Sequence, residues 1–119
     1  MADVVALVDD LFFQAKLLET AKQVGVEFRA CATPDALEAE IARSAPRLVV
    51  VDLNAQAEPF TALERLHAGG SRIPLIAFLS HVQVDLAERA RAAGCRDVMP
   101  RSKFTQNLAT ILARAKSDT

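Results

Sequence analysis

The chain has 119 residues, of which 51% are hydrophobic, and its 14 lysines and arginines nearly balance 15 aspartates and glutamates. This length suits one hydrophobic core, and high apolar content at a net charge near zero excludes a disordered chain. The absence of basic excess argues against a nucleic-acid-binding protein. No apolar run approaches the ~20 residues of a membrane span, and the first residues lack a signal-peptide pattern. The sequence therefore predicts a single cytoplasmic domain over residues 1–119, with neither nucleic acid nor membrane as a partner.

Five short apolar runs, several of them rich in β-branched residues, recur along the chain. Runs of this kind predict strands, here Val4–Val8, Val26–Ala30, Leu48–Leu53, Leu75–Leu79 and Asp97–Met99. The third and fourth runs have no polar alternation, which is typical of strands that helices cover on both faces.

Segments of helical periodicity separate these runs. The first helix is predicted over Phe13–Val24, where apolar residues recur every three or four positions, and Gly25 ends it. The second begins at Thr33, a capping residue followed by Pro34, and ends before Pro46. Three further helices are predicted over Pro59–Ala68, Val84–Ala93 and Lys103–Lys116.

The strict alternation of strand and helix predicts an α/β fold. Short connections between the elements indicate a parallel sheet with helices on both faces and right-handed crossovers. In a doubly wound sheet of this type, binding and chemistry occur at the carboxyl ends of the strands. The residues that follow each strand are therefore the first place to look for a site.

Acidic residues stand at the ends of two of the predicted strands. Asp9 and Asp10 come directly after Val4–Val8, and Asp52 comes directly after Leu48–Val51, the apolar run of the third strand. Clustered carboxylates repel one another unless they share a cation, and oxygen ligands suit Mg²⁺. The backbone carbonyl of Asn54 would add a further oxygen. The alternative is that these acids only cap helices and terminate strands.

From Asp3 to Ala115, the chain resembles the receiver domains of bacterial two-component response regulators, the CheY-like family. The resemblance rests on Val-Asp9-Asp10 and on Leu-Val-Val-Val-Asp52-Leu-Asn54, and more loosely on the segment from Gly94 to Phe104. It implies a three-layer, flavodoxin-like (βα)5 fold, a doubly wound parallel sheet with the strand order 2-1-3-4-5.

The resemblance also implies the roles of the acidic residues. Asp52 would accept a phosphoryl group from a histidine kinase or a phosphotransfer protein, and would be one of the Mg²⁺ ligands. Asp10 would bind Mg²⁺ directly, Asp9 largely through water, and Asn54 through its carbonyl oxygen. The chemistry is consistent, because phosphoryl transfer to a carboxylate depends on positioning and on neutralisation of charge by the metal.

Three positions depart from the family pattern. Arg101 stands where the family has a lysine that pairs with the acyl phosphate, and Lys103 would replace it only after a two-residue shift. The hydroxyl position at the end of the fourth strand falls on Leu79. Ser80 comes one residue later and would need a bulged strand end to reach the site. The aromatic position of the fifth strand is Val98.

Three other residues carry weaker signals. His81 is predicted to be a surface loop residue, since no second histidine lies near it in the sequence. Cys31 and Cys95 are too few for a disulfide framework and are predicted to be packing residues.

The leading hypothesis is a stand-alone signalling module rather than an enzyme. Phosphorylated on Asp52, it would signal to a downstream protein through the face of the fourth and fifth helices. The alternative is a phosphorylation-independent pseudo-receiver that acts as an interaction module, which the departures at Arg101, Leu79 and Val98 favour. A small Mg²⁺-dependent phosphatase is a weaker third hypothesis, since no general acid is evident. Homodimer formation is left open.

Overall fold

The computed structural model describes residues 1–80 and 83–116, so that His81 lies outside the described residues. Five strands alternate with helices along this part of the chain: β1 Val4–Leu7, α1 Leu11–Val24, β2 Phe28–Cys31, α2 Pro34–Ser44, β3 Leu48–Asp52, α3 Pro59–Ala68, β4 Leu75–Leu79, α4 Val84–Ala92, β5 Asp97–Pro100, α5 Arg101–Gln106 and α6 Leu108–Ala113. In the described ranges, no helix is both long enough and apolar enough to cross a bilayer.

All five strands are parallel, and their order is β2-β1-β3-β4-β5. This confirms the predicted α/β fold class, with its doubly wound sheet and strand order 2-1-3-4-5. Leu7 at the end of β1 is paired with Val51, and Asp52 at the end of β3 is paired with Phe78. The carboxyl ends of β1, β3 and β4 therefore meet at one edge of the sheet.

Apolar side chains of the central strands point alternately to two cores, one on each face of the sheet. On β3, Val49 and Val51 belong to the core under α2, α3 and α4, whereas Val50 belongs to the core under α1, α5 and α6. These valines are at most 1% exposed. Full burial of such a side chain stabilises the fold by roughly 1.5–3 kcal/mol. The two cores hold the sheet edge rigidly in place.

The second strand begins two residues later than predicted, at Phe28 rather than Val26. Gly25 caps α1 in the left-handed conformation, with φ 78°. The Val26 N–H then donates to the Ala21 carbonyl at 3.0 Å. Val26 is therefore buried as part of the helix end, which explains why an apolar residue at this position is not yet in the sheet.

The prediction of one helix over Lys103–Lys116 is wrong. The segment begins at Arg101 and divides into α5 and α6, which meet at Asn107. Asn107 has φ −104° and ψ 9°, and its side-chain amide donates to the Lys103 carbonyl at 2.9 Å. An asparagine side chain that competes for a backbone carbonyl interrupts helical geometry locally. The earlier start places Arg101 directly beyond β5.

Candidate functional site

The acidic residues of the sequence motifs lie at the carboxyl edge of the sheet. Asp52 is the last residue of β3, and its side chain is only 4% exposed. Asp10 lies between β1 and α1 with a side chain that is 39% exposed. Because β1 and β3 are neighbours, both carboxylates reach the same guanidinium group.

That guanidinium belongs to Arg101, the first residue of α5. Its Nη2 lies 3.3 Å from Oδ2 of Asp52, and its Nη1 lies 3.6 Å from Oδ2 of Asp10. The arginine thus bridges the ends of β3 and β1 from the far side of β4. Lys103, the alternative cation in the sequence, lies two residues further along α5 and is exposed. The structure therefore brings together Asp10, Asp52 and Arg101.

The guanidinium of Arg101 also contacts two aromatic rings. Its Cζ lies 4.5 Å from the centroid of the Phe13 ring and 5.5 Å from that of Phe78. Phe78 in turn stacks on Phe104, with centroids 4.7 Å apart and planes at 13°. Cation–π contacts of this kind contribute roughly 0.5–2 kcal/mol each. The sequence showed these phenylalanines as core residues, and only the folded arrangement shows that they hold Arg101.

Asp10 and Asp9 also make backbone contacts of their own. Asp10 is the N-cap of α1, because its Oδ1 accepts from the N–H groups of Phe12 and Phe13 at 3.0 and 3.2 Å. Asp9 accepts through Oδ2 from the N–H of Gln56, in the loop after β3, at 2.8 Å. Asp10 thus performs the helix-capping function that the sequence left as the alternative, while Asp9 links the chain after β1 to the loop after β3.

Asn54 connects the loops that follow β3 and β4. Its backbone N–H donates to Oδ1 of Asp52 at 2.9 Å. Its side-chain Oδ1 accepts from both the N–H and the hydroxyl of Ser80, at 2.6 and 3.0 Å, and its amide donates to Gln83 at 3.1 Å. Leu79 ends β4 and is 3% exposed in the core. The hydroxyl that follows β4 therefore contacts Asn54, and the contact to Gln83 was not foreseen from the sequence.

Burial dominates the ionisation of Asp52. Loss of solvent raises the pKa of this carboxyl above its usual value, and the nearby charges of Asp9 and Asp10 raise it further. The Asn54 N–H and the Arg101 guanidinium act in the opposite direction, but the pKa remains raised. Asp52 is thus a desolvated carboxyl that one cation and one N–H partly compensate.

The residues at this edge do not fit a magnesium ion as they are arranged. Within residues 1–80 and 83–116, no three side chains of His, Cys, Asp or Glu form a group able to hold a metal. Asp9 is turned towards the Gln56 N–H, and the guanidinium of Arg101 lies against both Asp10 and Asp52. A hard divalent cation requires several oxygens converging on one point. Here a positively charged side chain contacts those oxygens instead.

Solved structures of response regulators match this fold over nearly the whole chain. The receiver domain of NtrX from Brucella abortus has a TM-score of 0.82 at 21% identity, covering 98% of this chain and 100% of that one. The chemotaxis protein CheY4 from Vibrio cholerae has a TM-score of 0.83 at 16% identity, over 98% and 99% of the two chains. A LuxR-family DNA-binding response regulator from Staphylococcus aureus gives 0.81 at 12%, over 97% and 98%.

Comparisons at the level of sequence do not assign the chain to a particular family. No protein-family model matches the chain, and no curated protein matches it. Identities of 21% and below show similarity of fold, while the site must be argued from its own residues. The structural neighbours and the parallel sheet of order β2-β1-β3-β4-β5 together show that the chain has the fold of a response-regulator receiver domain.

Proposed function

We propose that this chain, taken as a single receiver-like domain over residues 1–119, is a signalling module that acts by protein contact without phosphorylation of Asp52. One observation carries the proposal: the Arg101 guanidinium is held on aromatic rings and lies within 3.3 Å of Asp52 and 3.6 Å of Asp10. Of the two main alternatives from the sequence, the geometry favours the phosphorylation-independent module.

The environment of Asp52 supports this proposal. A carboxylate that attacks phosphorus needs an accessible oxygen and compensation for the charge of the incoming group. Both oxygens of Asp52 are engaged, Oδ1 by the Asn54 N–H and Oδ2 by Arg101, and the residue is 3% exposed. A phosphoryl group would have to displace the guanidinium from its position over Phe13 and Phe78.

The residues expected to report phosphorylation are also altered. Leu79 is buried in the core where the family has a hydroxyl, and Val98 on β5 is a half-buried packing residue. Neither side chain forms the hydrogen bonds by which a hydroxyl and a tyrosine respond to a phosphoryl group. The proposed output is therefore constitutive contact with a downstream protein through the face of α4 and α5. A cytoplasmic location stays a prediction.

The second candidate is the phosphorylated receiver, with Mg²⁺ and with a histidine kinase or phosphotransfer protein as its donor. It is favoured by the position of Asp52 at the carboxyl end of β3, on the same edge as Asp9 and Asp10. This function requires Arg101 to leave Asp10, so that the acidic oxygens can turn towards a metal ion.

A direct experiment separates the two candidates. The protein is incubated with Mg²⁺ and acetyl phosphate, or with Mg²⁺ and beryllofluoride, and is compared with Asp52→Asn by intact mass and by NMR. We expect neither a mass increase nor a Mg²⁺-dependent change in the spectrum. An adduct that forms on the wild type and is lost in Asp52→Asn would overturn the proposal. Steady consumption of acetyl phosphate would indicate the hydrolytic function instead.

Arg101 itself provides the sharper comparison. Arg101→Ala removes the guanidinium from Asp52 and Asp10, so we expect this variant to gain Mg²⁺-dependent NMR shifts at the carboxyl edge of the sheet. The matched control is Arg91→Ala, which removes an exposed arginine from α4. If wild type and Arg101→Ala respond equally to Mg²⁺, the arginine does not exclude the metal.

A further inference from the structure

A groove of about 760 Å³ runs along the outer strand β2 and is lined on its other side by residues of α1. Its walls come from α1 and from β2, with contributions from the chain start and the end of α2: Leu11, Gln14, Ala15, Leu18, Lys22, Phe28, Ala30 and Arg43 are among the residues that line it. The residues of the Asp52 site do not line this groove, although Leu11, the neighbour of Asp10, does. The function of the groove is therefore a separate question.

The helical wall of the groove is apolar and exposed. Leu11, Ala15 and Leu18 follow one another at helical spacing on α1, and the two leucines are 76% and 42% exposed. The buried face of α1, with Phe13 and Leu17, points instead into the core. Of the five exposed large hydrophobic residues of the described chain, three lie on α1, and a fourth, Met1, also lines the groove. Such a concentration of exposed apolar surface marks an interaction site.

The strand wall of the groove has a free hydrogen-bonding edge. Of the described strands, only β1 pairs with β2. Val4 N–H donates to Glu27 and Val8 N–H to Cys31, so the odd-numbered residues of β2 face β1. The N–H and C=O groups of the even-numbered residues, Phe28 and Ala30, therefore point outward. An extended segment can add to such an edge as a further strand.

Basic side chains surround the free edge of β2. Lys22, Arg29 and Arg43 line the groove, against Glu27 as the one acid among the lining residues. Arg29 and Arg43 both contact the same carboxylate, that of Glu40, at 3.6 and 2.8 Å. One carboxylate shared by two guanidinium groups leaves an excess of positive charge on the α2 side of β2, which would attract acidic residues.

Charge favours a different protein over a second copy of the chain as the occupant of this edge. When two copies pair antiparallel about a two-fold axis at Arg29, their Arg29 side chains face each other, and like charges directly opposite each other destabilise a strand pair. A second copy also brings the same excess of basic side chains to the edge. A segment with acidic residues has the complementary charge.

We propose that the groove binds an extended segment of another protein in which apolar and acidic residues alternate. Added beside β2, the segment forms backbone hydrogen bonds with Phe28 and Ala30. Its apolar side chains pack on Leu11 and Leu18, and its acidic side chains face Arg29 on the opposite side of the sheet. Alternation of side chains along a strand matches the two walls, one apolar and one basic.

The test is an NMR titration of the isotope-labelled full chain with a short synthetic peptide of alternating valine and glutamate, blocked at both ends. We expect the largest shifts at Phe28–Cys31 and along the exposed stripe of α1, with slower amide exchange at Phe28 and Ala30. A peptide of alternating valine and lysine is the charge control and should bind at least tenfold more weakly.

Two variants test the two walls separately. Ala30→Pro removes one outward N–H and leaves the ladder with β1 intact, as proline is tolerated at such edge positions. We expect about tenfold weaker binding, equivalent to about one net hydrogen bond. Leu18→Glu places a charge in the apolar wall and should weaken binding of the peptide at least as much. If Ala30→Pro does not fold, the Leu18→Glu variant alone tests the proposal. Val84→Glu, an exposed valine on α4, is the matched control and should bind normally.

Several results would contradict the proposal that the groove binds an acidic, extended segment. Absence of binding at millimolar peptide, equal binding of the lysine peptide, or shifts confined to α4 and α5 would overturn the proposal. Concentration-dependent shifts at β2 without any peptide would show that a second copy occupies the groove, which also contradicts it. Each of these outcomes is measured without a phosphodonor, so that it is separate from the experiment on Asp52.

Discussion

At the scale of single residues, the position of Arg101 depends on ring packing as much as on charge. The guanidinium contacts Asp52 and Asp10 through its nitrogens and the Phe13 and Phe78 rings through its plane. Its buried Nε has no hydrogen-bond partner among the described residues. A lysine ammonium is compact and strongly hydrated, and does not stack in this way. The exchange of lysine for arginine thus changes which neighbours hold the cation.

A substitution at Phe104 can weaken the aromatic packing beneath Arg101 without changing a charged residue. Phe104 is fully buried and stacks on Phe78. Phe104→Leu should lower the free energy of unfolding by about 1–1.5 kcal/mol, because a non-planar side chain fills the ring site imperfectly. Urea unfolding monitored by circular dichroism measures this. Phe12→Leu, at a position 91% exposed, should change stability by less than about 0.5 kcal/mol.

Glu40 gives a pH-dependent prediction. The Ser44 hydroxyl, which donates to this carboxylate, and then Arg43 hold the pKa of Glu40 below its usual value. Because the pKa is lowered in the folded protein, ionised Glu40 stabilises the fold at pH values above its usual pKa. This contribution to the free energy of unfolding is lost as the pH falls through the pKa of the folded state. The stability difference between wild type and Glu40→Gln should therefore shrink between about pH 5 and pH 3. Urea unfolding across this range checks it, and a difference independent of pH would contradict it.

Residue patterns in the sequence could indicate Asp9, Asp10 and Asp52, because these acids come at the ends of two apolar runs, whereas Arg101 was indicated by the resemblance to receiver domains. They could not indicate the contacts of these side chains. The Gln56 N–H that bonds Asp9 and the Gln83 side chain that bonds Asn54 come from distant loops. Such partners depend on loop conformation, which local periodicity does not encode.

At the scale of elements, most boundaries follow from local signals. The range Pro59–Ala68 for α3 and the range Leu75–Leu79 for β4 were predicted as they occur. Proline begins α3, and the glycine pair after it ends it, so both limits are local. The division at Asn107 was missed because the apolar spacing continues through it, with Phe104 and Leu108 both buried in the same core.

The end of α2 contains a strained residue that permits a stabilising substitution. Ala45 caps this helix with φ 47°, in the left-handed region, and is exposed. An L-residue with a Cβ costs about 1–2 kcal/mol there, which exceeds the ~0.4–1 kcal/mol of extra chain entropy that glycine loses. Ala45→Gly should therefore raise the free energy of unfolding by about 0.5–1 kcal/mol.

Thermal unfolding measures this effect, and a second alanine in the same helix provides the control. Ala42 is exposed in the interior of α2. Ala42→Gly should lower stability by about 0.8–1 kcal/mol, because glycine is unfavourable within a helix. The two alanine-to-glycine changes thus have opposite expected signs, and equal signs would contradict the assigned cap geometry.

At the scale of the whole molecule, the strand order 2-1-3-4-5 was implied by the resemblance to receiver domains, whereas the alternating pattern alone was sufficient to predict the parallel sheet and its helical layers. This succeeds because both faces of the central strands must be covered, which leaves few arrangements. The groove beside β2 was not predicted. Exposed leucines on α1 are equally compatible with a buried stripe until the positions of neighbouring elements are known.

The two cysteines test whether the sheet opens as a unit. Cys31 ends β2 at one sheet edge and Cys95 precedes β5 at the other, and both are buried. Burial raises the pKa of the Cys95 thiol to about 11, and that of Cys31 also lies above its usual value. At pH 8 we expect both to react with a thiol reagent more slowly than in the unfolded chain, Cys95 by roughly a hundredfold.

Equal labelling rates for the two thiols would show cooperative opening of both edges. Mass spectrometry after timed quenching resolves the two sites by peptide. Rapid labelling of Cys31 alone would contradict the expectation and would show that β2 detaches independently.

The first turn of α1 belongs to two surfaces at once. Asp10 caps it and Phe13 supports the arginine, while Leu11 lines the groove beside β2. A segment bound in the groove and the arrangement of charges around Asp52 therefore share a rigid turn. Thermodynamic linkage requires any such influence to be reciprocal. If a peptide in the groove displaces this turn, it also changes the acidic pocket, and a change in that pocket then alters the affinity for the peptide by the same factor.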